Sequence, residues 1–123
     1  MKGILLSSLN IANIDKENPI IGNATGSTTT GNTGLITISG IEDKADTEGK
    51  YGVSGLSGIY ISKTNTAPTL SSQWTNNTAS SYTYTATSNG TYYIWVKDVA
   101  GNISEVKTAT VRGIGGKVTG VTL

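Results

Sequence analysis

The sequence predicts an all-β protein, built as a two-sheet sandwich of about seven short strands. Thr, Ser, Asn and Gly dominate the chain, and runs of the helix formers Ala, Leu, Glu and Lys are missing. Short stretches in which apolar and polar residues alternate are separated by glycine-bearing turns. A chain of 123 residues is long enough for one domain with one hydrophobic core.

The first half of the main domain is predicted to hold two strands and a long loop. A linker ends at Pro19, which biases the residue before it towards extended geometry. Residues 19–25 follow as the first strand, and 25–34 have no periodicity and are expected to form a loop. The second strand is predicted within 34–43, where the apolar set Ile36, Ile38 and Ile41 is interrupted by a bend at Gly40.

The second half is predicted to hold the remaining strands. In the strand at 56–64, Ile59 and Ile61 share one face and Tyr60 lies on the other. A polar loop at 44–55 precedes this strand, and an irregular stretch at 67–80 follows it. The other predicted strands are 80–90, with Tyr82, Tyr84 and Ala86 on one side, then 90–98 and 103–111.

The aromatic segment GTYYIWVKDVAGN at 90–102 has two possible interpretations, a binding surface or a strand that packs in the core. Side chains alternate between the faces of a strand, so this segment has an aliphatic face and a mixed face. The aliphatic face is the predicted core, whereas on the mixed face the Trp95 indole should lean on a neighbouring strand and the Lys97 ammonium should stay in water. The aliphatic face carries Tyr92, Ile94, Val96 and Asp98, and the mixed face carries Thr91, Tyr93, Trp95 and Lys97.

A turn is predicted where this strand ends, in the sequence DVAGN. Asp98 is expected to cap the turn by accepting hydrogen bonds from nearby amides. Gly101 is expected to supply a positive φ, and Asn102 to tolerate one. A catalytic role for Asp98 would require a second positioned group, which the sequence does not offer.

At these residues the chain resembles the bacterial immunoglobulin-like domains. Their penultimate strand and turn follow the pattern G-x-Y-x-I/V-x-V-x-D-x-A-G-N, which GTYYIWVKDVAGN matches. The resemblance implies a Greek-key sandwich over residues 19–112, of the kind used in tandem arrays on secreted or cell-surface proteins and in some phage structural proteins. It also implies that Tyr92 forms a tyrosine corner, with its phenol bonded to the backbone of the preceding turn. The matched positions are Gly90, Tyr92, Ile94, Val96, Asp98, Ala100, Gly101 and Asn102.

Composition narrows the chemistry that the chain can perform. Histidine and cysteine are both absent, which excludes Ser-His-Asp and Cys-His catalysis and a disulfide framework, and removes the usual zinc ligands. The formal net charge is +1, so neither a nucleic acid nor an anionic membrane is indicated as partner. We therefore expect a non-enzymatic protein without a resident cofactor.

The aromatic residues have a structural and a functional interpretation. Trp74 is expected either to plug one end of the sandwich or to form a glycan-stacking platform with Tyr82 or Tyr84. Trp95 is a further candidate for ligand or partner contact. The glycan hypothesis makes the chain a carbohydrate-binding module.

The acidic loop has two interpretations as well. Glu42, Asp43, Asp46 and Glu48 lie among lysines and are expected to form a solvated surface. The alternative is a calcium site, because Ca²⁺ takes six to eight oxygen ligands. The spacing of these carboxylates does not follow an EF-hand.

Two terminal segments exceed a minimal sandwich, namely an extension and linker at 1–18 and a tail or strand at 113–123. An apolar strand outside a closed fold needs a partner. Residues 5–14 are predicted to form a strand in which Leu5, Leu9 and Ile11 fall on one face, so the first segment is either a remnant of a neighbouring repeat or an assembly strand that pairs with another copy.

These observations favour a structural or adhesion module of a bacterial exported or cell-surface protein. Its expected partners are neighbouring immunoglobulin-like domains or other copies of itself. One alternative is a phage virion component, such as a tail or capsid decoration. The other is the carbohydrate-binding module, for which a cell-surface glycan would be the partner. The expected location is extracellular or at the cell surface, or the virion in the phage alternative.

Overall fold

The computed structural model describes residues 17–28, 31–43 and 54–114, and this part of the chain is all-β. A short 3₁₀ turn, Ser71–Gln73, accompanies the strands. No helix in the described ranges is long and apolar enough to cross a membrane. The strands are β1 (Asn23–Thr28), β2 (Gly34–Ser39), β3 (Leu56–Ser62), β4 (Thr75–Asn76), β5 (Tyr82–Ala86), β6 (Gly90–Asp98) and β7 (Lys107–Val111).

The strands form two antiparallel sheets, with the orders β1-β2-β5 and β4-β3-β6-β7. Their apolar faces pack against each other: Ile36 and Ile38 of the first sheet join Ile59, Ile94 and Val96 of the second in one buried cluster. The prediction of an all-β fold with two sheets is therefore confirmed. The core is aliphatic and contains little aromatic surface, because Tyr92 supplies its only fully buried ring in the described residues.

The predicted phase of β6 is confirmed. Tyr92, Ile94 and Val96 are 4%, 0% and 1% exposed, whereas Tyr93 and Lys97 are half-buried. Trp95 lies on the outer face as expected, yet it is only 5% exposed. The expectation that the indole merely leans on a neighbouring strand therefore understated its burial.

The structure corrects the predicted bounds of the first strand. β1 begins at Asn23 and continues to Thr28, through residues that were expected to form a loop. Its residues pair with Gly34–Ser39; Ala24 packs against the core, and the other residues of the strand are polar or glycine. Gly26 lies against β7, where a Cβ atom would collide with the backbone of Thr110. Close approach of two backbones explains why a glycine occupies this strand position.

A second correction concerns 67–80, which was expected to be irregular throughout. Within it, the two residues of β4 pair with Gly58 and Ile59 of β3. β3 itself carries a register irregularity between Leu56 and Gly58. The predicted strand at 5–14, with Leu5, Leu9 and Ile11, lies outside the described residues.

Candidate functional site

The turn after β6 is closed by the Asp98 carboxylate, which is 1% exposed. Asn102 donates its backbone N–H to Oδ1 of Asp98 at 2.8 Å and its side-chain amide to Oδ2 at 2.9 Å. Backbone bonds support the same turn, from Asp98 N–H to Asn102 O at 3.0 Å and from Gly101 N–H to Asp98 O at 3.1 Å. Both carboxylate oxygens thus serve the turn.

The two residues that follow Ala100 have different roles in this turn. Gly101 has φ +99°, the positive value that was expected of it. The expectation for Asn102 is wrong, because no residue other than glycine in the described ranges has a positive φ. Asn102 contributes hydrogen bonds to Asp98 instead, which an asparagine can supply through both its backbone and its side-chain amide.

At the opposite end of β6, the Tyr92 hydroxyl donates to the carbonyl of Ser88 at 2.7 Å. The Ser88 hydroxyl lies 3.1 Å from the same phenol oxygen. Lys63 completes the corner: its Nζ lies 5.6 Å from the centroid of the Tyr92 ring and donates to Asn89 O at 2.7 Å. The phenol thus ties the start of β6 to the backbone of the preceding turn, as the resemblance implied.

Replacing Tyr92 by phenylalanine should lower the free energy of unfolding by about 1 kcal/mol or more, since it removes the hydrogen bonds of the phenol with the Ser88 carbonyl and hydroxyl and keeps the buried ring. Urea denaturation of the full chain measures the change. Tyr93→Phe is the matched control, because Tyr93 is half-buried on the other face of β6. Equal effects of the two substitutions would contradict a special role for the Tyr92 hydroxyl.

An aromatic cluster covers the outer face of the four-stranded sheet. Trp95 packs against Tyr60, its neighbour across the β3–β6 pairing, with ring centroids 5.9 Å apart. Tyr60 also contacts Trp74, at 6.3 Å. The Lys97 ammonium lies 5.2 Å from the Trp74 centroid, within the range of a cation–π interaction. The cluster therefore shields Trp95 and engages Trp74 with residues of the same sheet.

Tyr82 and Tyr84 lie elsewhere, along a cleft between β5 and β3. The cleft has a volume of about 140 Å³. The Tyr84 ring contacts that of Tyr92 at 5.9 Å, so it also packs on the core. The structure thus forms two aromatic groups, Trp74 and Trp95 on the outer face and the two tyrosines of β5 at the cleft, and Tyr60 contacts the first group and also lines the cleft. The cleft is lined by Ile59, Tyr60, Ile61, Gln73, Thr75, Tyr82 and Tyr84.

A larger cleft of about 260 Å³ lies where the chain enters the sandwich. It separates residues 18–21 from residues 105–107, which lead into β7. Ile20 and Val106 expose part of their apolar side chains there. None of the predicted site residues lines this cleft.

The acidic loop is only partly within the described residues. Asp43 accepts a hydrogen bond from the backbone N–H of Gly55 at 2.6 Å through Oδ2. Glu42 is exposed, and its backbone pairs with Ile20. In the described ranges, no group of three or more potential metal-binding side chains occurs. Asp46 and Glu48 lie outside those ranges, so the calcium site stays a prediction.

Sequence reasoning missed two supporting residues. Ser104 is 6% exposed, accepts a hydrogen bond from Val96 N–H at 3.0 Å and donates to Glu105 O at 2.9 Å. Lys63 lies directly after β3, distant in sequence from Tyr92, and holds the corner there. No local pattern marks either contact, because both depend on the pairing of strands.

Comparison with known proteins adds no family assignment. No protein-family model matches the chain, and no curated protein matches it either. The function is therefore inferred from the residues and contacts of this chain.

Proposed function

We propose that the chain is a non-enzymatic immunoglobulin-like module, which serves as a spacer or adhesion unit of a bacterial exported or cell-surface protein. One observation carries this proposal: the described chain enters the sandwich at one end and leaves it at the other. In a module with this geometry the chain enters and leaves at opposite ends of the long axis, so each successive module lengthens an array.

The positions of the two ends follow from contacts on either side of β6. On entering, residues 18–21 face residues 105–107 across the larger cleft, near the end of β6 that carries the Asp98 turn. On leaving, Ile114 exchanges hydrogen bonds with the side chain of Asn89 at 2.9 and 3.1 Å, next to the start of β6. The nine residues of β6 separate these ends by about 30 Å, at about 3.3 Å per residue.

The strand order supports an immunoglobulin-like arrangement. In that fold the first, second and fifth strands share one sheet, and the third, sixth and seventh share the other. The orders β1-β2-β5 and β4-β3-β6-β7 follow this division. The short β4 pairs with β3, whereas the fourth strand of constant-type domains pairs with the fifth. Greek-key connections between the sheets are part of the proposal.

The chemistry of the described residues supports a structural role. Asp98, the one fully buried carboxylate among them, is engaged by Asn102. Trp74 and Trp95 are likewise engaged by Tyr60 and Lys97. Side chains that could begin a reaction or stack on a sugar are thus used to hold the sandwich together.

Three copies of the full chain, joined head to tail in one polypeptide, test the spacer role by small-angle X-ray scattering. We expect the maximum dimension to grow by at least about 30 Å with each copy, because each adds the length of a sandwich. Thermal unfolding of the single chain is the control, and each copy in the array should unfold at the same temperature. A maximum dimension no larger than that of three copies packed into a compact cluster would contradict the proposal.

A further inference from the structure

β5 is an edge strand whose outer side has no strand partner among the described residues. It lies at the end of the order β1-β2-β5, and its other side pairs with β2 over five residues. β4, at the edge of the facing sheet, has only two residues and pairs with β3. Within the described residues, the lateral side of the sandwich therefore presents the full length of β5.

Hydrogen bonds beyond the ends of β1 and β2, in the same register as their pairing, identify which backbone groups of β5 point outwards. Ile20 and Glu42 exchange backbone hydrogen bonds, and Gly22 N–H donates to Gly40 O at 2.9 Å. Because backbone direction alternates along a strand, the even-numbered residues of β2 face β1 and the odd-numbered ones face β5. Thr37 then bonds Thr83, the residue opposite it. The backbone groups of Tyr82, Tyr84 and Ala86 point away from β2.

This edge lacks the features that prevent an edge strand from pairing with a strand of another molecule. Natural edges are protected by charged side chains, by proline, by bulges or by very short strands. Residues 77–89, NTASSYTYTATSN, contain no charged residue and no proline, and β5 pairs with β2 without a register shift. Its tyrosines and threonines favour extended structure. The strand is thus suited to accept another strand.

We propose that β5 pairs antiparallel with β5 of a second copy of this chain, around a twofold axis at Tyr84. The two three-stranded sheets then form one continuous sheet across the dimer. A twofold interface must be self-complementary, and the sequence YTYTA meets this condition. Tyr84 lies opposite the partner's Tyr84, Thr83 opposite Thr85, and Tyr82 opposite Ala86. Threonine and aromatic pairs across strands are stabilising, and no like charges meet.

The same register pairs the outward backbone groups of β5 and places side chains of the second copy along the cleft. The outward groups of Tyr82, Tyr84 and Ala86 are those that pair in an arrangement centred on Tyr84. Tyr82 and Tyr84 are half-buried beside the 140 Å³ cleft, and the inward side chains of the second copy continue along that cleft. Burial of these rings adds apolar stabilisation to the backbone bonds.

The dimer does not depend on the spacer role. It uses a lateral edge, whereas the chain enters and leaves at the ends of the sandwich. It also differs from pairing through residues 5–14, because it involves no terminal segment.

Analytical ultracentrifugation of the full chain tests the dimer. A pairing of five residues buries little area, so we expect weak association that develops between about 10 µM and about 1 mM. The double substitution Thr83→Lys, Thr85→Lys places like charges opposite each other across the axis, and it should weaken association at least about tenfold. Both threonines are exposed, so the monomer should keep its melting temperature.

A charge-swap experiment separates pairing from a general charge effect. The double substitution Thr83→Glu, Thr85→Glu should also give a monomer, and an equimolar mixture of the two double variants should restore the dimer. The matched control is Thr25→Lys, Ser27→Lys on exposed positions of β1, at the other edge of the same sheet, which should leave dimerisation unchanged. A full chain that is monomeric at about 1 mM would overturn the proposal. So would a dimer that survives the lysine substitutions, since another surface would then hold it.

Discussion

Replacing Ile94 by alanine should lower the free energy of unfolding by about 2–5 kcal/mol, a large share of the stability of a small domain. Ile94 is fully buried in the middle of β6, which pairs with both β3 and β7. Its side chain lies in the aliphatic cluster between the sheets, so truncation leaves a cavity as well as removing apolar contact. Urea denaturation followed by intrinsic fluorescence measures the change.

Leu70→Ala is the control for this measurement, because it removes aliphatic atoms from a residue that is 61% exposed. Its effect should stay within about 0.5 kcal/mol. If the two substitutions cost the same, Ile94 would not lie in the core, and the phase of β6 would be wrong.

Replacing Asp98 by alanine should lower the free energy of unfolding by about 2–4 kcal/mol. The substitution removes two hydrogen bonds to a charged acceptor and leaves the Asn102 donors without their partner. In the same turn, Val99 N–H donates to the carbonyl of Gly55, which directly precedes β3, at 2.8 Å. A looser turn should therefore also weaken this contact between the turn and the start of β3. Chemical denaturation provides the free energy, and amide hydrogen exchange should become faster at Asn102.

Glu105→Ala is the matched control, since Glu105 is an exposed carboxylate close to the same end of β6. This substitution should leave the free energy of unfolding nearly unchanged. An Asp98→Ala variant as stable as this control would show that the carboxylate does not hold the turn.

Contacts that are local in sequence were the most predictable part of the molecule. The bonds from Tyr92 to Ser88 and from Asn102 to Asp98 each span four residues, and a strand–turn pattern is sufficient to anticipate them. The burial of Ile94 is similarly predictable, because the two-residue period of a strand assigns each side chain to a face.

Contacts between distant segments were not predictable in the same way. The burial of Trp95 comes from Tyr60 and Trp74, which the sheet brings over it. The extension of β1 to Thr28 escaped prediction because residues 25–28 show no apolar pattern, and because Gly26 is required by a backbone approach to β7. The candidate ligand residues separate onto two surfaces for the same reason: their positions depend on which strands pair.

The division of β5 and β6 between two sheets is the central claim, since it underlies the immunoglobulin-like arrangement and the lateral edge. Only three residues separate these strands in sequence, so a simple hairpin is the direct alternative. Backbone nuclear Overhauser effects in the labelled full chain distinguish the two arrangements. We expect contacts from Tyr92 to Ala109, from Ile94 to Ile61 and from Tyr84 to Ile36. A continuous ladder of contacts between β5 and β6, beginning at Ala86 and Gly90, would contradict the fold and the function proposed from it.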